Sequence, residues 1–284
     1  MNVPFAPTPD AKPIGLAPRL TAPRAGNAGS VQRHRAMLYM ILAQGLSTPT
    51  EPLCQALADD TFWAILRYAL DGAPGPHRRR LNPALADGAP GPHRRRLDPA
   101  LAAPPIQRNS LEALLIEHTR LFGTDLICAH YEADYVAAGS FRLVHVLADV
   151  SAMYAAFGVR VSDAAHERAD HVVIELDFMN FLATKEAHAA RLGRPVEARL
   201  CRRAQRLFFR RHLGCWGRAF AGNFGAAAHV DFYQRLPRLL EALIVAEAEY
   251  LAVRLADIEV KRETDAQVAA ADGQGVCGHC QGHR

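Results

Sequence analysis

The chain lacks any apolar run approaching the ~18 residues that a membrane-spanning helix needs. Its first thirty residues, MNVPFAPTPDAKPIGLAPRLTAPRAGNAGS, lack the basic-then-apolar build of a secretory signal, so a cytoplasmic location is expected. Cysteine is scarce. Cys54, Cys128, Cys201 and Cys215 are isolated singletons, with only Cys277 and Cys280 close together, which argues against a disulfide framework and fits reduced thiols. Neither sign of charge dominates: 33 Lys plus Arg against 29 Asp plus Glu leave a net +4, too little to argue nucleic-acid binding by itself. There is no P-loop, no GxGxxG after a strand, no GxSxG and no HExxH, so no enzyme is expected. No segment alternates convincingly with period two, which excludes a sheet-based architecture and leaves an all-α fold.

What the chain does have is Ala169 to Thr184, ADHVVIELDFMNFLAT, a stretch apolar on nearly every side that also carries Asp170, His171, Glu175 and Asp177. At 100° per residue Val172, Val173, Leu176, Met179 and Ala183 form one stripe, and Ile174, Phe178, Phe181 and Leu182 cover most of the remainder. A helix apolar nearly all round belongs in a core. His171 and Glu175 are four apart and share a face, with Asp170 just N-terminal. The plain reading is a set of capped, hydrogen-bonded core polars at a helix start. The functional reading is a site for something cationic and apolar together, because buried carboxylates need a counter-charge or a shifted pKa.

Residues 1–29 are proline-rich and are expected as a disordered tail. A helix capped by Ser30 runs to Leu46; a second stretch, Glu51 to Leu70, bends near Asp59-Asp60 and stops at Gly72. DGAPGPHRRRLNPALA (71–86) is then followed at once by DGAPGPHRRRLDPALA (87–102), differing only at Asn82 versus Asp98. Two units with eight prolines between Pro74 and Pro105 make no solenoid, so 71–108 is expected as a loosely ordered insertion in a helical domain spanning 30–262. A sharper reading is that Arg78-Arg79-Arg80-Leu81 and Arg94-Arg95-Arg96-Leu97 mimic a twin-arginine peptide and occupy the protein's own site. Asn109 with Glu112 resembles a capping box opening the next helix, and Ser140 to Phe157 is helical with Gly158 suited to its cap. Ser162 or Asp163 is expected to open the charged central helix, which ends before Gly193-Arg194-Pro195. Val196 to His212 is a basic helix, succeeded by a short apolar one around Trp216 and Phe220. A long helix from Asp231 to about Lys261 is expected to kink near Pro237. Residues 263–284 form a flexible tail in which Cys277, His279, Cys280 and His283 suit zinc or another soft metal.

In EHTRLFG (Glu117 to Gly123), Tyr131-Glu132 with Tyr135, ADVSAMYAAFGV (148–159) and ERADHVVIELDFMNFL (167–182), the chain resembles the TorD/DmsD/NarJ family of molybdoenzyme maturation chaperones. FFRRHLGCW (208–216) and FYQRLPRLLEAL (232–243) add to the likeness, in family order. The resemblance implies one all-helical domain that holds an apo-molybdoenzyme of the DMSO reductase type, often by its twin-arginine signal peptide, until the molybdenum cofactor is inserted. It implies no catalysis and no tightly bound cofactor. The Asp-His pair matching Asp170 and His171 would lie in or near the signal-peptide site, flanked by Leu121 and Phe122. This chain departs from the family in its repeat, its Cys-bearing tail, and Cys128-Ala129-His130, where many members place a proline before the Tyr-Glu.

A twin-arginine peptide offers two guanidinium groups and then an apolar run. Asp170, Glu175 and Asp177 could accept the first, with Glu132 in the same loop as Tyr131, and Phe122, Tyr131, Phe178 and Leu182 the second. A cationic His171 would compete with the arginines and make binding pH-sensitive. Arg199, Arg202, Arg203 and Arg206 form a basic face for a phosphate, as in the cofactor or a nucleotide, or for an acidic partner. A monomer and a helix-swapped dimer are both compatible with the pattern. The alternative from another class is a small metal or redox protein built on the C-terminal Cys/His cluster.

Overall fold

A computed structural model describes residues 5–7, 28–86, 110–123, 127–136 and 140–255. Among them the order is β1 (Phe5–Pro7), α1 (Ser30–Leu46), α2 (Glu51–Ala58), α3 (Thr61–Asp71), α4 (Gly75–Ala86), α5 (Leu111–Phe122), α6 (Ala133–Val136) and α7 (Ser140–Ala156). Then come β2 (Val159–Val161), α8 (Val172–Arg191), α9 (Pro195–Arg211), α10 (Leu213–Ala227) and α11 (Asp231–Leu251). The expected all-α class holds, with one small two-stranded exception. No helix of the described residues is long and apolar enough to cross a membrane.

The central helix is α8, packed most extensively against α1 and α9. Leu176, Phe178, Met179, Leu182 and Ala183 are each fully buried, as its all-round apolarity requires. Phe178 meets Tyr154 at a ring-centroid distance of 4.6 Å and Phe208 at 4.8 Å. On the other side of the bundle α10 stacks Trp216, Phe220 and Phe224 in succession, and α11 closes over them through Tyr233.

Local chemistry sets most helix ends. The Ser110 hydroxyl accepts the Ala113 N–H at 3.2 Å and starts α5, one residue after the expected Asn109, which lies outside the described residues. Gly158 takes φ 72° after α7. The bend foreseen near Asp59-Asp60 is a break between α2 and α3, with Asp60 at φ 63°. The long last helix stops at Leu251, short of Lys261, because Ala252 turns left-handed at φ 51°.

Three expectations are corrected. The N-terminal segment is not wholly a tail: Phe5–Pro7 pairs antiparallel with Val159–Val161, and the Phe5 ring sits 5.1 Å from Tyr154 and 6.0 Å from Phe178. That apolar seat gives the strand the tertiary anchor that proline-rich sequence alone does not supply. The charged helix does not open at Ser162 or Asp163. Ser162 caps only a 3₁₀ turn, Asp163–Ala165, which His166 ends at φ 52°, and α8 begins at Val172. Most consequential is the first repeat copy, which is no loose insertion. Residues 75–86 form α4 against α11, with His77 and Leu81 fully buried. His77 Nε2 meets Glu247 Oε1 at 2.8 Å, and Glu247 also accepts from Arg35 Nε and Nη2 at 2.8 and 2.6 Å. The copy's Arg79 and Arg80 pair with Glu249 and Arg78 bonds the Asp71 carbonyl, so none of its arginines sits at Asp170; Arg94 to Leu97 of the second copy lie outside the described residues.

Candidate functional site

The Tyr131-Glu132 loop is laid against the residues entering α8. Val172 N–H donates to the His130 carbonyl at 3.0 Å and Glu132 N–H to the Asp170 carbonyl at 2.9 Å, so Tyr131 and His171 form an antiparallel bridge. This extended pairing holds 170–171 out of the helix and makes His171 the N-cap, its Nδ1 accepting the Val173 N–H at 3.1 Å. A ring nitrogen that accepts cannot also carry a proton. Burial, then His130, His118 and Arg168, push the His171 pKa down to about 3. His171 is therefore neutral at physiological pH, which removes the expected cationic competition with arginine.

Asp170 is fully buried and already holds a guanidinium. Arg168 Nε and Nη2 reach its two carboxylate oxygens at 3.0 and 2.7 Å, and the Ala133 N–H adds a third bond at 3.1 Å. The Arg168 guanidinium lies 4.3 Å from the centroid of the Tyr131 ring, whose hydroxyl donates to Glu167 at 3.1 Å. The arginine side chain is 36% exposed while the carboxylate is not exposed at all. The arrangement is a carboxylate-and-aromatic seat for one arginine, filled from within the chain.

Beside the seat opens a cleft of about 530 Å³ lined by Glu132, Val136, His145, Val146, Asp149, Arg211, His212 and Cys215. His212 stands at the corner between α9 and α10. Its Nδ1 meets Glu132 Oε2 at 2.9 Å and its Nε2 lies 3.4 Å from Asp149, which also pairs with Arg211 at 2.8 Å. Behind Glu132, Glu175 is fully buried; Trp216 Nε1 donates to its Oε2 at 3.1 Å, and Oε1 has no hydrogen-bond partner among the described residues. Burial, and then the Glu132 carboxylate, push the Glu175 pKa well above the ordinary carboxylate range, which favours its neutral form. Burial likewise raises Asp177 to about 7.

The residues singled out by spacing therefore separate. Asp170, His171, Tyr131 and Glu132 converge, with Glu175 one layer deeper. Phe122 borders them, its ring 5.5 Å from His130, while Leu121 and Phe178 are fully buried core. Of the basic face, Arg202 is engaged by Glu186 and Tyr250, and Arg206 by the Ala252 carbonyl. Arg199 and Arg203 are exposed and make no ion pair among the described residues. Cys277, His279, Cys280 and His283 lie outside the described residues; among those described, no group of three or more His, Cys, Asp or Glu is placed to hold a metal ion. Sequence reasoning missed Arg168, Asp149 and His212. Arg168, two residues from Asp170, was the one with a local signal.

The family described as nitrate reductase delta subunit matches residues 89–222. The selenate reductase assembly chaperone protein of Thauera selenatis is 34% identical over 99 residues, 34% of this chain and 50% of that protein. The perchlorate reductase assembly chaperone protein of Dechloromonas aromatica (strain RCB) is 29% identical over 110 residues, 39% of this chain and 48% of that protein. The matches thus span about half the length of these curated relatives, and no solved structure matches. These matches liken the chain, over residues 89–222, to the nitrate reductase delta subunit family and to assembly chaperones of two oxyanion reductases.

Proposed function

We propose that this chain is an assembly chaperone for the catalytic subunit of a molybdenum-containing oxidoreductase of the DMSO reductase type. In this reading it grips an arginine-bearing, apolar segment of that subunit at Tyr131, Arg168 and Asp170 and in the adjoining cleft. The observation that carries the reading is the seat itself, a buried carboxylate and an aromatic face fitted to a guanidinium. A client arginine presents the group that Arg168 presents, so exchange requires only that the partly exposed Arg168 swing out. The cleft accommodates the remainder of such a segment, with the carboxylates of Glu132 and Asp149 for a second arginine and Val136 and Val146 for an apolar run. A twin-arginine signal peptide carries both in that order. Relatives named for selenate and perchlorate reductase assembly support the client class. The chain acts in the cytoplasm without catalysis, holding the client until its molybdenum cofactor is inserted. A passing contact with that cofactor's phosphate falls to Arg199 and Arg203, the members of the basic face that make no ion pair among the described residues.

Titration of a labelled twin-arginine peptide by fluorescence anisotropy tests this, with a twin-lysine peptide as control. The arginine peptide should bind about tenfold or more tightly, because lysine cannot make the bidentate contact. Arg168→Ala, which removes the internal competitor, should tighten binding, and Asp170→Asn should weaken it. Arginine and lysine peptides bound alike, with both variants unchanged, would refute the seat.

A further inference from the structure

The two repeat copies offer two occupants for one surface. On α11 the first copy buries Ala73, His77 and Leu81, joins His77 to Glu247, and sets Arg79 and Arg80 against Glu249. Sixteen residues on, Ala89, His93, Leu97, Arg95 and Arg96 repeat every one of these side chains. The single difference, Asn82 against Asp98, falls at a position that is exposed in α4. Nothing on the docked face distinguishes the copies. The family match, moreover, starts at residue 89, inside the second copy and contiguous with α5, whereas the docked copy is the first.

We propose that the face of α11 around Glu247 is a docking surface for residues 87–102 as well as 71–86, and that the two segments exchange on it within one chain. The connections set the requirement. With the second copy docked, residues 103–110 must reach α5, and eight residues span about 26 to 29 Å when extended. On the other side the link from α3 grows by sixteen residues, and closure entropy rises only slowly with loop length. The two states are then separated by linker terms and by the contacts at the end of α3, where the Ala73 N–H donates to the Leu70 carbonyl and Arg78 Nη1 to the Asp71 carbonyl.

The test uses the full chain carrying Leu81→Ala, Leu97→Ala or both, with urea unfolding and hydrogen-exchange mass spectrometry as readouts. A fully buried leucine cut to alanine at a fixed site lowers the folded-to-unfolded ratio on the order of 30-fold or more. With exchange, either single variant should lower it only a few-fold, since the intact copy takes over, and the double variant should show the full loss. Hydrogen exchange reads the same point without needing the double variant to fold. Asn82 and Asp98 give the copies peptides of different mass, and Leu81→Ala should move amide protection from 77–85 to 93–101. If Leu81→Ala alone costs as much as the double variant, Leu97→Ala is silent and 93–101 is never protected, the exchange does not occur. Protection of 93–101 that grows with protein concentration would place it on a second chain and equally overturn the intrachain proposal.

Discussion

Glu247 is the most exacting place to test the energetics of this fold, because a single carboxylate there answers a buried guanidinium and a buried imidazole. It is fully buried, and Arg35 and His77 both bond it, from positions 212 and 170 residues away. Burial alone would raise its pKa, but Arg35 and then His77 outweigh burial and hold it from 4.5 down to about 2. A folded value below the unfolded one means the group stabilises the fold above pH ~4.5 and that this contribution is lost as pH falls through ~2. The gap of about two and a half pH units, at about 1.36 kcal/mol each, is worth roughly 3 kcal/mol. Glu247→Gln removes the charge but leaves Arg35 buried, its Nη1 already without a hydrogen bond and 3.8 Å from Glu186. An unpaired buried cation costs about 3 to 5 kcal/mol, so the variant should lose that much at pH 7. Urea unfolding monitored by tryptophan fluorescence, which reports the fully buried Trp216, supplies the measurement at pH 7, 5, 4 and 3. The difference between wild type and variant should shrink steadily below pH ~5. Arg35→Met with Glu247→Leu, which removes both charges, should be milder than Glu247→Gln alone. A variant within about 1 kcal/mol of wild type at pH 7, or a difference that does not change with pH, would refute the assignment of Glu247 as the anchor of this network.

Asp177 should show the opposite sign. Its folded pKa of about 7 lies above the ordinary 3.8, so its charge costs stability progressively as pH rises from about 4 to 7. Asp177→Asn should therefore gain on the order of 2 kcal/mol at pH 8, after discounting for partial exposure, and nothing at pH 3, read from the same urea curves. Gly214 tests the turn into α10. A Cβ there would lie 2.5 Å from the Phe209 carbonyl oxygen, and backbone cannot yield as a flexible side chain can. Gly214→Ala should cost about 1 to 3 kcal/mol and lower the melting temperature by several degrees.

The sequence made α8 legible because its apolar residues repeat at helical spacing on almost every side, a pattern with no other stable use. Its start was not legible. The stretch from Ser162 has good helix-opening residues, and only the extended pairing of Glu132 with Asp170, between segments far apart in the chain, keeps 170–171 out of the helix. The first repeat copy failed for the same reason in reverse. Its prolines and glycines argue against a helix, and two buried side chains, one of them reaching a distant glutamate, outweigh them. In the candidate site, residue types and helical spacing singled out Asp170 and His171, which the fold sets against Tyr131 and Glu132. Spacing could not reveal that Glu175 is sealed behind Glu132, nor that His212 faces Glu132 from 80 residues away.

The internal arginine also bears on why a client with two arginines would be recognised and one with a single arginine rejected. Arg168 is tethered two residues from Asp170, so it competes at an effective concentration of millimolar or more. A client arginine at micromolar concentration starts about a thousandfold behind, or roughly 4 kcal/mol. Replacing one guanidinium by another at the same carboxylate recovers almost none of this, because the bonds broken equal the bonds made. The deficit has to be met outside the seat. A second charge-assisted contact at Glu132 or Asp149 contributes roughly 1.5 to 3 kcal/mol, and a side chain of valine or leucine size buried on Val136 and Val146 about 1.5 to 3 more. Neither suffices alone, but together they can exceed the deficit. On the proposed reading, Arg168 would convert a generic guanidinium seat into one that opens to a paired, apolar-flanked arginine and stays closed to the solitary arginines of other proteins.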